Sequence, residues 1–168
     1  MFDGDVSPRA IVVRSMSSES VEALRGIELT RDEIDRLPVE EGVGLLSLAD
    51  DGVAYAVPIS FGYDGEDRPY FFAIRFGEKS RKAEFMERTD TATFVVYTVS
   101  SPTKWRSVLV TGEVGTVPES DHDAMEEVMY DDALAARLFP YDEPVTEVRR
   151  AELRGESVSD RKGMGYEG

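Results

Sequence analysis

The chain of 168 residues contains no cysteine, one histidine, and four lysines among its 19 basic residues. Without cysteine, neither a disulfide framework nor a thiolate metal site can form. The 34 acidic residues give a formal net charge of −15, which argues against a general role in coating nucleic acid or anionic membranes. No run of about 18 consecutive apolar residues occurs, and the N-terminus lacks the apolar core of a signal peptide. We therefore expect a soluble, cytoplasmic protein.

Composition divides the chain into an N-terminal arm and one domain. Residues 1–27 contain a short apolar patch among many serines and acidic residues, so we expect an arm with the composition of a flexible segment. Met16 is a second candidate start besides Met1. Residues 28–168 are long enough for one domain with its own core. The excess of acidic residues over lysines is typical of a surface adapted to high salt, and an ordinary acidic protein is the alternative.

Capping residues and prolines predict three short helices. Thr30 begins a capping-box pattern with the glutamate three residues later, and Pro38 is expected to end that helix. A second helix is expected after Ser80. The third covers the acidic segment that Ser120 would cap and Pro140 would end.

Between these helices the sequence predicts six strands. Asp51-Gly52 and Asp64-Gly65 supply turn chemistry between three apolar runs, which predicts an antiparallel meander. Pro58 in the second strand requires a sheet edge, a bulge, or a place where backbone hydrogen bonds go elsewhere. The uninterrupted apolar run at residues 91–99 predicts a strand buried on both faces. The predicted fold class is mainly β with short helices, a small six-stranded antiparallel barrel.

Ser80, Arg81 and Lys82 form a cluster at the predicted start of the second helix. If Ser80 caps this helix, the free N–H groups of its first turn lie beside a hydroxyl, a guanidinium and an ammonium, which together suit a phosphate. The alternative is a capped helix whose Arg81 and Lys82 pair with Glu84 and Glu78 at the surface. Spacing alone leaves both interpretations open.

Four segments, YAVPISFGYDG, PYFFAIRFGEKSRKAEF, TATFVVYTV and WRSVLVTGEV, occur in a distinctive order and spacing. This pattern resembles the pyridoxamine 5'-phosphate oxidase-like FMN-binding split-barrel family, especially its acidic haloarchaeal members and the nitroimidazole-resistance proteins. The resemblance covers roughly residues 30–160. It implies a split barrel, a homodimer with FMN in a groove at the subunit interface, and a flavin-dependent oxidoreductase acting on a small-molecule substrate.

The resemblance also implies which residues bind the cofactor. They are Val57, Pro58, Ile59 and Ser60, in the strand that faces the isoalloxazine ring; Phe72, Ala73, Ile74 and Arg75, in the strand that ends next to the phosphate; Ser80, Arg81 and Lys82, which match the family's phosphate-binding Ser-Arg-Lys; and Trp105, Ser107 and Val108, which line the flavin pocket.

The chain departs from the oxidases proper in one strand. Those enzymes carry an arginine and a lysine at the places held here by Ala56 and Phe61, and Arg75 is the candidate to supply the missing positive charge. Pyridoxamine phosphate oxidation itself is therefore not expected. We name no catalytic residue, because the flavin carries the redox chemistry in such enzymes. Trp105 either packs in the core or stacks on the flavin.

Other functions fit the same resemblance. A non-catalytic flavin-binding or storage protein, or a dimeric ligand sensor, would have a similar groove. A relative that binds a deazaflavin or haem in place of FMN is a further alternative. No metal site is expected.

Overall fold

Six strands and four helices form the described part of the chain. The computed structural model describes residues 17–66, 68–76, 79–132 and 145–166. The strands are β1 (Val43–Asp50), β2 (Val53–Tyr63), β3 (Pro69–Phe76), β4 (Ala92–Ser101), β5 (Lys104–Thr116) and β6 (Val145–Lys162). The helices are α1 (Ser18–Arg25), α2 (Arg31–Glu41), α3 (Arg81–Arg88) and α4 (His122–Asp132). All six strands close into one antiparallel barrel in the order β1-β2-β3-β6-β5-β4, which confirms the predicted fold class.

The two predicted Asp-Gly turns join the first three strands. Asp51 and Gly52 have φ values of +47° and +75°, so the turn between β1 and β2 has the handedness that matches the twist of the strands. Gly65, in the turn before β3, has a φ of +81°. The pairs β1/β2 and β2/β3 are antiparallel, and the predicted meander is confirmed.

Phe94 lies at the centre of the barrel core. Its ring centroid lies 4.7 Å from that of Phe61 and 5.1 Å from that of Phe71, both in edge-on geometry. All three side chains are almost fully buried. Edge-on aromatic pairs add to the stabilisation that burial of their area already gives. A second, smaller cluster packs α4 against the sheet and contains Tyr70, Val117, Met125 and Met129.

The prediction that β4 is buried on both faces is wrong. Ala92, Phe94 and Val96 are buried in the barrel. Tyr97 and Val99, farther along the strand, are 59% and 65% exposed. Each strand of a closed barrel turns one face to the interior and the other outward. The second apolar face of this strand therefore lies on the surface of the chain.

The predicted capping box begins α2, but Pro38 does not end this helix. Thr30 Oγ1 accepts a hydrogen bond from the Glu33 N–H, and the Glu33 carboxylate accepts one of 2.8 Å from the Thr30 N–H. The helix continues past Pro38 to Glu41, where Gly42 closes it with a φ of +63°. Pro38 is buried, and this apolar contact offsets the helical hydrogen bond that proline removes.

The third predicted helix starts later than expected. Ser120 lies in the 3-10 turn Glu119–Asp121, and α4 begins at His122, so Ser120 does not cap it. The Ser120 hydroxyl instead donates to the Asp121 carboxylate at 3.0 Å. Pro140, the predicted end of this helix, lies outside the described residues. None of the helices in the described ranges is both long and apolar enough to cross a membrane.

Residues near the start of the domain are joined to the end of β6. Ile27 and Lys162 exchange two backbone hydrogen bonds of 2.8 Å. The Lys162 ammonium donates to both carboxylate oxygens of Glu33, at 2.7 and 2.8 Å. The Leu29 N–H donates to the Asp160 carboxylate at 2.6 Å. These contacts hold the residues before α2, and its first turn, against the end of β6.

Glu33→Gln is expected to lower the free energy of unfolding by about 1–2 kcal/mol at neutral pH, because it removes a charge-assisted contact that is only partly exposed. Hydrogen bonds from Lys162 and from the Thr30 N–H lower the pKa of Glu33 below its ordinary value of 4.5. A carboxyl group with a lowered pKa in the folded state contributes stability above its unfolded pKa, and this stability is lost as the pH falls through the folded value.

The wild type should therefore lose more stability than the Glu33→Gln variant when the pH is lowered from about 5 to about 3. Urea unfolding over this range measures the difference. Glu84→Gln, at an exposed position of α3, is the control and should keep the wild-type pH dependence. An identical pH dependence in Glu33→Gln and wild type would contradict the assignment.

Candidate functional site

The second strand, β2, has an open edge over most of its length. It pairs with β1 from end to end, but among the described residues it meets β3 only at Phe61, Gly62 and Tyr63. The barrel therefore splits between Val53–Ile59 and the second half of β3. Three side chains of this segment reach the barrel core, namely those of Tyr55, Val57 and Ile59.

Pro58 lies in this open edge and is exposed. The Phe61 N–H donates to the Gly42 carbonyl at 3.2 Å, and bonded positions alternate along an antiparallel pair, so the Pro58 nitrogen faces away from β1. The N–H that proline lacks would have pointed into the split. The same alternation turns the N–H groups of Ala54 and Ala56 into it. Of the three options that the sequence left open at Pro58, the structure shows a sheet edge.

Lys82 is half-buried in the first turn of α3. Ser80 caps this helix and accepts the Ala83 N–H at 3.3 Å. Burial lowers the pKa of the Lys82 ammonium. No carboxylate contacts this ammonium within the described ranges, Glu84 included, and Glu78 lies outside them. Among the described residues, nothing balances this positive charge, which is held partly out of water and which a bound anion would neutralise.

Arg81 joins the start of α3 to the open edge of β2. Its guanidinium carbon lies 5.2 Å from the centre of the Tyr55 ring and 5.5 Å from that of Phe85, within the range of cation–π contacts. The two rings stack with their centroids 5.0 Å apart. Because Tyr55 belongs to the open edge, the predicted phosphate cluster and the predicted ring-binding strand are neighbours in one site.

The four cofactor-binding residues predicted on β3 have three apolar side chains and one guanidinium that is already paired. Ala73 is buried in the barrel core. Phe72 and Ile74 are half-buried on the other face of this strand. Arg75 Nε lies 3.4 Å from the Glu147 carboxylate, and its Nη2 lies 3.8 Å from that of Glu87. Two carboxylates therefore already balance the charge of Arg75.

The predicted residues of β5 lie on the opposite wall of the barrel. Val108 is 2% exposed and points into the core, whereas Trp105 and Ser107 are half-buried on the outer face. The path around the barrel from β5 to β2 passes through β6 and β3 on one side and through β4 and β1 on the other. One chain therefore does not bring Trp105 and Ser107 to the split beside its own β2.

Two exposed apolar side chains of β4, Tyr97 and Val99, lie near Trp105 on the outside of the barrel. Val99 is paired with Trp105 and Tyr97 with Ser107 in the β4/β5 register. We call these four residues the outer patch. Sequence reasoning missed Tyr97 and Val99 because it assigned the whole apolar run to the core, yet such a run on a barrel strand leaves one apolar face outside.

A cavity of about 190 Å³ lies between α3 and the ends of β5 and β6. Its lining includes Met86, Val114 and Arg149, and it contains none of the predicted cofactor residues. The Arg149 guanidinium lies 3.0 Å from the Glu87 carboxylate, so the charges in this cavity neutralise each other. Within the described ranges, no three or more His, Asp or Glu side chains come together as metal ligands.

A family model described as pyridoxamine 5'-phosphate oxidase matches residues 30–161, which is most of the chain. No curated protein matches the chain. Several solved structures share the fold at low sequence identity, and three of them illustrate the range.

An FAD-binding protein from Mesorhizobium loti is 20% identical with a TM-score of 0.65, over 80% of this chain and 94% of its own. An FAD-binding protein from Mycobacterium smegmatis is 16% identical with a TM-score of 0.59, over 82% and 98%. A haem-binding protein from Mycobacterium smegmatis is 17% identical with a TM-score of 0.63, over 83% and 57%. The family model, which covers most of the chain, establishes that the chain belongs to the pyridoxamine 5'-phosphate oxidase family.

Proposed function

We propose that the protein binds FMN in a groove between two subunits of a homodimer and acts as a flavin-dependent oxidoreductase on a small molecule. The observation that carries the proposal is the half-buried Lys82 ammonium, which no anion balances among the described residues. A phosphate ester at this position would meet the ammonium, the Ser80 hydroxyl and the free N–H groups of the first helical turn.

The open edge of β2 supplies the second part of the site. The isoalloxazine ring carries nitrogen and oxygen atoms that need hydrogen-bond partners once they leave water. Backbone groups of Ala54, Ala56 and Pro58 face the split and can meet that need. Recognition through the backbone fits a strand in which Ala56 and Phe61 replace the charged residues of the oxidases proper.

The third part of the site comes from the partner subunit in this proposal. The outer patch and the split lie on opposite walls of one barrel, so Trp105 and Ser107 can line a flavin groove only in a second copy. The exposed side chains of Tyr97 and Val99 give the patch an apolar surface that association would bury. A homodimer therefore completes the groove and covers this surface.

When bound, FMN supplies the electron or hydride transfer, and the protein supplies orientation, polarity and control of access. Lys82 and Ser80 fix the phosphate end, and the rigid β2 edge fixes the ring. We assign no catalytic residue, because the flavin would carry the redox chemistry.

FAD and haem are the alternative cofactors that the similar structures suggest. FAD shares the ring and the first phosphate, so the same site accepts that part of it. Haem iron is held by a histidine, cysteine, methionine or tyrosine ligand. The chain has no cysteine, and its single histidine, His122, lies at the start of α4, with a ring nitrogen 3.1 Å from the Val117 carbonyl. The residues predicted to bind the cofactor include none of these four residue types, which favours a flavin over haem.

The absorbance spectrum of the purified protein, followed by titration of the apoprotein with FMN, FAD and riboflavin, tests the proposal. We expect the two bands of oxidised flavin and quenching of flavin fluorescence on binding, with FMN bound more tightly than riboflavin. An apoprotein that binds none of the three would overturn the proposal. Turnover with NADH or NADPH and an electron acceptor separates an oxidoreductase from a flavin carrier. Adaptation to high salt and a cytoplasmic location stay predictions from composition.

A further inference from the structure

Two glycines pack against the indole of Trp105, one in the N-terminal arm and one just after β6. A Cβ atom added to Gly26 would lie 2.8 Å from Trp105 Cη2 and 2.6 Å from the Lys162 carbonyl oxygen. A Cβ atom added to Gly163 would lie 2.8 Å from Trp105 Nε1. Both distances are shorter than real Cβ contacts, so only glycine allows the two backbones to approach the ring this closely.

Hydrogen bonds hold these two glycine segments in place. Ile27, next to Gly26, exchanges two backbone hydrogen bonds of 2.8 Å with Lys162. The Gly163 N–H donates to the Trp105 carbonyl at 2.8 Å. The indole is thus fixed by the segment that follows α1 and by the turn that follows β6.

The fixed indole remains partly exposed on the outer face of β5. Its strand neighbour Val99 is exposed as well. Core packing therefore does not account for the whole side chain, and the exposed part belongs to the outer patch. The position of β5 relative to β2 prevents this part from reaching the split of its own chain.

We propose that Gly26 is a positioning residue of the flavin site: the N-terminal segment fixes the Trp105 indole of one subunit as a wall of the groove that binds flavin in the other. This inference rests on the proposed function, because it needs both the flavin and the dimer. An aromatic side chain that is already held in one orientation loses little conformational entropy when the flavin binds. It therefore strengthens binding of the ring more than a mobile side chain would.

Gly26→Ala tests the positioning role, with Gly65→Ala as the matched control. Gly26 has a φ of +68° and Gly65 a φ of +81°, so alanine strains the backbone similarly at both. A Cβ atom at Gly65 would meet no atom within 4 Å, whereas at Gly26 it would clash with the Lys162 carbonyl oxygen and with the Trp105 indole, so the N-terminal segment could no longer hold the ring in this position. We expect Gly26→Ala to weaken riboflavin and FMN binding about threefold to tenfold and to alter Trp105 emission. Equal effects of the two substitutions would overturn the proposal.

Mixed dimers test which subunit contributes the tryptophan, because Trp105 is the only tryptophan in the chain. The first dimer pairs a Trp105→Phe chain with a Lys82→Ala chain, each purified through a different affinity tag. Flavin then binds at the chain with intact Lys82, and the only indole is in the other chain. We expect flavin to quench this indole by ring contact, which time-resolved emission distinguishes from slower energy transfer across the dimer.

The second dimer pairs wild type with a chain that carries both substitutions. Here the bound flavin and the indole belong to the same chain, and contact quenching should be absent. Quenching in the second dimer and not in the first would overturn the inference while leaving flavin binding intact. Wild-type protein that binds no flavin would instead overturn the proposed function itself.

Discussion

Lys82→Ala is expected to weaken FMN binding roughly tenfold to a hundredfold while leaving the fold intact. The substitution removes a charge-assisted hydrogen bond to the phosphate, which contributes about 1.5–3 kcal/mol. The apoprotein should not be destabilised, because burial without a counter-charge already lowers the pKa of this ammonium. Titration of the apoprotein with FMN, followed by flavin fluorescence, measures the change.

Two controls isolate the contribution of the phosphate contact. Lys79→Ala changes the net charge equally at a nearby exposed position, and it should leave FMN affinity within about twofold of wild type because exposed charges are screened. Riboflavin carries the ring without the phosphate and should bind wild type and Lys82→Ala about equally. If FMN also binds both proteins equally, the phosphate does not lie at Lys82.

Val99→Asp is expected to raise the dimer dissociation constant about a thousandfold or more, with flavin binding lost as a result. The carboxylate would be buried without a partner at the interface, which costs several kcal/mol, and a twofold dimer contains the substitution twice. Each 1.4 kcal/mol changes the constant about tenfold. The barrel should still fold, because Val99 is 65% exposed within its own chain. Sedimentation velocity over a concentration series, recorded at flavin and protein wavelengths, measures both effects.

Val39→Asp is the matched control for the interface. Val39 is 47% exposed on α2 and lies outside the outer patch. The variant should remain dimeric and retain flavin. A Val99→Asp protein that has the wild-type circular dichroism and stays dimeric would remove the outer patch from the interface.

Local chemistry predicted the local structure of this chain well. The Asp-Gly turns and the capping box at Thr30 each depend on neighbouring residues, and both are present. The prediction that Pro38 ends α2 failed because proline in a helix interior costs only a few kcal/mol, and burial of Pro38 offsets that cost. The apolar run of β4 led to a wrong prediction of burial. Such a run shows that both faces of a strand are apolar, but it does not show whether the same chain covers both faces.

The candidate site likewise has a part that the sequence predicts and a part that it does not. The cluster at Ser80, Arg81 and Lys82 is contiguous in sequence, so its place at a capped helix start could be predicted. The separation of Trp105 from the β2 edge depends on the order in which six strands close, and no spacing along the chain encodes that order directly. The packing of Gly26 on Trp105 is equally non-local, since 79 positions of sequence separate the two residues.

Pro58 also protects the chain before any cofactor or partner is bound. An open strand edge invites a foreign chain to add a strand, which is a common start of aggregation. Proline lacks the N–H that such a strand would need for one of its hydrogen bonds, and it lies within the exposed edge, close to the point where β3 begins to pair. A free subunit is therefore less prone to aggregate before it binds its ligand. Pro58 thus weakens this edge as a template for another polypeptide, while the N–H groups of Ala54 and Ala56 and the Pro58 carbonyl remain available to a small molecule.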